Sequence, residues 1–268
     1  MEGSAGAEPA RSPARLVLLG ASNLFFGLPG ALRHALGRIE GRKLTIFTAS
    51  GPGRSYGVKA GVCALRYRGI IECGVLDALE AARHTDGPAP AWALLTDIGN
   101  DILYQSGVER ILAWIEETAR RLAAAGARIG ITSLPIESLE RMPRWRFRLL
   151  RPVYFPFRPM PWEAILAQAR AVQAGLHEIA GRFDAAVLAA PAAWYGFDHF
   201  HLGGWHRREA FGTWLDEILG ARGPPPPPAA RLEVSSLGIW SRGFLGAWRP
   251  AGGSKGVMIA PQASLFCL

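Results

Sequence analysis

At 268 residues the chain can hold one large α/β domain or two small ones, and 49% hydrophobic against 19% charged residues makes it globular rather than disordered. No apolar run reaches the roughly 18–20 residues of a membrane span, and Cys63, Cys73 and Cys267 are too few and too scattered for a disulfide framework or a zinc site. Six arginines within residues 141–162, with no acid among them, account for six of the eight net positive charges, so the basicity marks one segment rather than a chain built for nucleic acid.

Residues 1–14 are polar and small and lack the apolar core of a signal peptide. They read as a disordered leader, and the chain as cytoplasmic. A first buried strand is expected at 15–19, "RLVLL", followed by Gly20-Ala21-Ser22-Asn23 and an apolar, helix-like run. Ser22 and Asn23 both suit a helix N-cap. The competing reading makes Ser22 a nucleophile presented at the carboxyl end of the strand. Further strands are expected at 43–48, 92–98, 128–133 and 184–189, all short and apolar without clean alternation, as in strands covered on both faces.

Helical patterns separate them. Residues 58–83 suggest a helix in two pieces broken near "RGIIECG". Residues 107–125 put Ile111, Ile115, Ala119 and Leu122 on one face, with Gly126 as a stop. Helices are also expected at 162–181 and 204–220. Strand and helix alternate, so the fold class is α/β with a parallel, doubly wound sheet. The folded domain spans 15–222. Residues 223–268 open on five consecutive prolines, Pro224–Pro228, and show no helical or strand period, so they are expected to form a stiff spacer and a disordered tail.

Ligands of open parallel sheets bind beyond the carboxyl ends of the strands. The segments expected there carry Ser22, then Gly51, Gly53 and Gly57, then Asn100 and Asp101 of "DIGND", then Asp198, His199 and His201 of "DHFHLGG". Together they hold the parts acyl transfer needs: a nucleophile, oxyanion donors, a base and an acid to orient it. A carboxylate three residues before an imidazole on a turn can bond the near ring nitrogen and leave the far one to take the serine proton. That favours Asp198 with His201, with His199 and His206 as alternative bases. Asn23 and Ile98 are expected to touch substrate. Asp101 is a candidate cap for the next helix.

In these blocks the chain resembles the SGNH hydrolases, or GDSL-type esterases and lipases. "LLGASNL", "SGPGRS", "DIGND" and "DHFHLGGWHRREAF" follow in the family's order over roughly residues 15–220. The resemblance implies a three-layer α/β/α sandwich with five parallel strands in the flavodoxin-like order 2-1-3-4-5. It implies a serine esterase with Ser22, Asp198 and His201 as the triad. The oxyanion hole would be Ser22, Gly53 (Gly51 as alternative) and Asn100, with no metal and no cofactor. Two positions depart from the pattern: Ala21 stands where an aspartate is usual and Ile98 where a glycine is usual.

The segment 141–162 interleaves its arginines with Trp145, Phe147, Tyr154, Phe155, Phe157 and Trp162. It reads as a surface excursion, as a lid whose aromatics, Trp145 and Phe147 foremost, hold an acyl chain while arginines meet an anionic head group or bilayer, or as a nucleic-acid contact. Its prolines argue against one continuous amphipathic helix. The expected partner is a small-molecule ester. The alternatives are a binding protein that keeps the fold without catalysis and an RNA-associated protein using this segment.

Overall fold

The computed structural model describes residues 11–39, 42–62, 65–154, 160–223, 257–260 and 263–267. Five parallel strands form the body of the sheet: β1 (Arg11–Leu19), β2 (Arg42–Ala49), β3 (Ala91–Leu95), β4 (Ala127–Thr132) and β5 (Ala186–Leu188). Their spatial order is 2-1-3-4-5. β1 takes in the last four residues of the expected leader, and residues 1–10 lie outside the described residues.

Alternate side chains of β1 feed two separate cores. Val17 and Leu19 join one, with Val75, Ile111, Ile115 and Val172. Leu16 and Leu18 join the other, with Leu28, Phe211 and Leu215. A strand buried on both faces has no reason to alternate apolar and polar residues, which is why the strands read as solid apolar runs. Helices α2 (Val75–Asp86), α4 (Val108–Ala124) and α7 (Trp162–Arg182) carry residues of the first core, and α1 (Ser22–Arg38) and α8 (Arg207–Leu219) of the second. The result is a three-layer sandwich. Between these elements lie α3 (Asn100–Leu103), α5 (Ile136–Glu140) and α6 (Arg144–Tyr154).

α1 and α8 press together where Gly27 meets Phe211: a Cβ on Gly27 would stand 2.2 Å from the ring. Farther along, Asp216 of α8 accepts from Arg38 Nε and Nη2 of α1, each at 2.7 Å, and lies 2.6 Å from His34 Nε2. Burial raises the Asp216 pKa, but these bonds from Arg38 and His34 outweigh it and hold the carboxyl below its ordinary value.

Two expectations change and one holds. Residues 58–62 and 65–69 are not helical: an isolated pairing joins Ala60 to Tyr67, and Gly57 lies so near the Trp114 ring that a Cβ would come within 1.9 Å. The segment 141–162 is not one continuous helix, as its prolines suggest: α6 takes 11 of its residues, with Pro152 inside it, while Met142, Pro143, Met160 and Pro161 lie outside any helix. And the expected structureless tail contains two strands. β7 (Ala263–Cys267) pairs in parallel with the open edge of β2, and β6 (Val257–Ala260) pairs antiparallel with β7. An unpaired edge offers a row of backbone donors and acceptors to any extended segment, a capacity the tail's composition does not announce. The proline run lies outside the described residues.

Candidate active site

β1 ends at Gly20, which no other residue could replace without a shift: a Cβ there would lie 2.6 Å from Thr96 Cγ2. The chain turns at once into α1, so Ser22 becomes its first helical residue, 7% exposed at the helix's electropositive end. Neither Ser22 nor Asn23 is the N-cap; that position is Ala21, which offers no side-chain acceptor. The acceptor comes from the loop after another strand. Asp97, just past β3, takes the backbone N–H of Ala21 (2.7 Å) and of Leu24 (3.1 Å) on Oδ2. Its φ of 62° turns the chain there and ends β3 short of the expected 98.

Asp97 also accepts from Asn23 Nδ2 on Oδ1, at 2.7 Å. Asn23 Nδ2 reaches the Phe200 carbonyl at 3.2 Å, and Asn23 Oδ1 accepts the Leu202 N–H at 2.8 Å. The amide of Asn23, expected to touch substrate, is therefore engaged within the protein. It fastens the serine turn to the residues on both sides of His201. Burial raises the Asp97 pKa, and the bonds from Leu24, Ala21 and Asn23 offset only part of that rise. Asp97 is the residue that sequence reasoning missed. The absence of an acid at Ala21 was the available signal, since the serine turn needs an acceptor from somewhere.

His201 Nε2 lies 2.8 Å from Ser22 Oγ, and His201 Nδ1 lies 2.6 Å from Asp198 Oδ2. An ionised carboxylate only accepts, so Nδ1 carries the proton and Nε2 presents its lone pair to the serine. Asp198 Oδ1 accepts the backbone N–H of His201 (2.9 Å) and Phe200 (3.3 Å). Burial pushes the Asp198 pKa up, but these bonds from His201 and Phe200 prevail and hold it below the usual value. The loop is closed by Gly196 N–H to His201 O and Gly203 N–H to Trp194 O, both at 2.8 Å.

The other two histidines face elsewhere. His199, at φ 64°, lies between Ser138 Oγ (3.2 Å) and Arg146 Nη1 (3.0 Å). His206 is 3.2 Å from Glu209.

A cleft of about 950 Å³, partly open to solvent, runs from Ser22 and His201 past Ile98 and Asn100. Its far wall is apolar, with Leu134, Leu139, Phe147, Leu150, Trp162 and Ile165. Phe147 of α6 meets Trp162 of α7 with ring centroids 4.7 Å apart. Trp145 does not line the cleft and is 59% exposed.

Gly51 and Gly53 also stand off the cleft lining. Gly53 adopts φ 69°, and its carbonyl accepts from Tyr104 Oη. Asn100 Nδ2, on the cleft lining, donates to Arg54 O at 3.4 Å, a long bond.

Asp101 is fully buried and caps nothing. It accepts from Ser55 Oγ and from Tyr56 N–H (3.0 Å), locking the loop after β2 to the one after β3. Burial raises its pKa to about 6, against the lowering effect of the Ser55 and Tyr56 bonds. The folded chain therefore takes up a proton at a pH where the unfolded chain does not. Stability from this group rises as pH falls from above 6 towards 4, by up to about 3 kcal/mol. Asp101→Asn should lose that dependence. Urea melts of both proteins at pH 7 and pH 5 check it: the wild type should gain on the variant at pH 5, and parallel curves would refute it.

Among the described residues no group of three or more His, Cys, Asp or Glu is placed to hold a metal ion, and no helix is long and apolar enough to cross a membrane.

No protein-family model matches the chain, and no curated protein sequence does. Solved structures similar to it include the psychrotrophic esterase EstA from Pseudoalteromonas sp., 14% identical, covering 76% of this chain and 98% of that one with a TM-score of 0.44. TesA is 16% identical, covering 76% and 99% at 0.43. A GDSL-like lipase from Bacteroides thetaiotaomicron is 11% identical, covering 77% and 87% at 0.44.

Proposed function

We propose that this protein is a serine esterase of the SGNH type, hydrolysing a carboxylic ester through an acyl-enzyme. The observation that carries the reading is the chain Ser22 Oγ, His201 Nε2, His201 Nδ1, Asp198 Oδ2, with contacts of 2.8 and 2.6 Å, opening on an apolar cleft. Ser22 Oγ attacks the ester carbonyl as its proton passes to His201 Nε2, and Asp198 stabilises the imidazolium. The carbonyl oxygen gains negative charge at the amino end of α1, where the Ser22 N–H and Asn100 Nδ2 donate to it. Gly53 enters this set only if its loop moves towards the cleft. The tetrahedral species collapses, and the alcohol leaves with the proton from His201. Water then attacks the acyl-serine, its proton going to His201 and on to Ser22 as the acid departs. The apolar wall would hold the acyl chain.

The test is hydrolysis of p-nitrophenyl esters of increasing chain length by the purified protein, with a fluorophosphonate probe added in parallel. Turnover and a single phosphonyl adduct on the Ser22 peptide are expected. A protein that neither turns over esters nor takes up the probe is not this enzyme.

Asn100→Ala should lower kcat by roughly 10²–10³ with little change in KM, since an oxyanion donor acts mainly in the transition state. Steady-state kinetics on a soluble ester measure this. A kcat within about threefold of wild type would remove Asn100 from the role.

A further inference from the structure

Among the described residues, five large apolar side chains stand well exposed: Phe26 (44%), Trp145 (59%), Leu149 (61%), Phe197 (59%) and Trp205 (96%). They do not scatter over the surface. Phe26 is in the first turns of α1, four residues after Ser22. Trp145 and Leu149 are on α6. Phe197 and Trp205 flank Asp198 and His201 in the loop before α8. These three segments also supply Ser22, Phe147, Leu150 and His201 to the cleft. The exposed apolar groups therefore sit on the same three segments that line it.

Cations are interleaved with them. The Arg146 guanidinium lies 4.3 Å from the Phe197 ring centroid and 5.5 Å from that of Trp145, and Arg207 lies 5.5 Å from that of Phe26. On α6 the residues 144, 145, 148, 149 and 152 are exposed, at a spacing that puts Arg144, Trp145, Arg148 and Leu149 on one side of the helix. Phe147 and Leu150, on the same turns, face the cleft.

We infer that this face docks on an anionic lipid surface and draws the ester from it, an inference that rests on the esterase reading above. Exposed apolar side chains around a polar-rimmed cleft mark a contact surface. Indoles and rings suit the head-group boundary, and guanidinium groups pair with lipid phosphates. Apolar insertion and cationic attraction together give the two signals that reversible membrane attachment needs. A nucleic acid fits less well. Leu149 offers a base no face to stack on, whereas it suits an acyl layer. Docked this way, the cleft's apolar wall continues into the acyl layer, so an ester could enter without crossing water.

The test is flotation with vesicles of phosphatidylcholine alone, and of phosphatidylcholine with an equal part of phosphatidylglycerol. Both the wild type and Ser22→Ala are floated, so binding is read apart from chemistry. Both should float with the anionic vesicles and little with the neutral ones. Arg148→Glu should lower the partition about fivefold or more. Leu149→Ser combined with Trp205→Ser should lower it roughly tenfold or more. All these surface variants should hydrolyse a soluble short-chain ester at the wild-type rate. Equal recovery on both vesicle types, or full binding by the double variant, overturns the proposal. Salt-sensitive retention on single-stranded RNA without flotation overturns it in favour of a nucleic-acid contact. Flotation without any ester turnover would sink the esterase reading and leave the docking face standing.

Discussion

Replacing Ser22 by alanine is expected to lower kcat on a soluble ester by roughly 10⁴–10⁶ while leaving the thermal melt almost unchanged. The side chain makes one bond relevant to the fold, to His201, and a bond of that kind contributes only about 1 kcal/mol net. The α1 amides do not depend on it, because Asp97 is their acceptor. A serine that merely capped the helix would behave in the opposite way, losing about 1 kcal/mol of stability with no chemical phenotype. Kinetics and calorimetry on the same preparation separate the two. An alanine variant within about tenfold of the wild-type rate would remove Ser22 from the mechanism.

The second large effect is expected at Asp97. Asp97→Ala strips an acceptor from two backbone N–H groups and the Asn23 amide, all at a buried turn. Leaving such donors unsatisfied should cost about 2–4 kcal/mol, read as a lower urea midpoint. Asp97→Asn is the more telling change. Its carbonyl oxygen can still accept from Ala21 and Leu24, but its amino group would face the amino group of Asn23. Asn23 would then loosen its hold on Phe200 and Leu202, and with it the placement of His201. The Asn variant should fold, keep KM, and lose up to about 10²-fold in kcat, as small misplacements of a catalytic group do. An Asn variant with wild-type kcat would reduce Asp97 to a helix cap.

Much of this architecture was legible because it depends on local pattern. The apolar runs at 15–19 and 128–133 announce buried strands, and the 3.6-residue stripe with Gly126 behind it announces α4. The Asp-x-x-His spacing of 198 and 201 is local too, since one turn brings the two side chains together. What was not legible depends on distant partners. Asp97 meets Ala21 and Leu24 across more than 70 residues, and "DIGND" by itself reads as a turn. The stretch 58–69 carries apolar groups at helix-like intervals, yet the close approach of Gly57 to Trp114 and the pairing of Ala60 with Tyr67 are contacts that its own pattern does not announce. Nor could the position of β7 be read from its own residues, because it follows from β2 having a free side.

For the esterase proposed above, the seam between α1 and α8 sets when the chemistry becomes available. Ser22 and His201 lie 179 residues apart in sequence, the one opening α1 and the other leading into α8. Closing so long a loop is entropically costly, and the Gly27–Phe211 contact, the Asp216 clamp and the core shared by α1 and α8 help offset it. A fragment covering residues 11–190 would own the nucleophile, Asn100 and most of the acyl wall, yet stay chemically silent. Supplying residues 191–223 as a separate peptide should switch turnover on only as α8 seats against α1, making ester hydrolysis a clock for that single docking event.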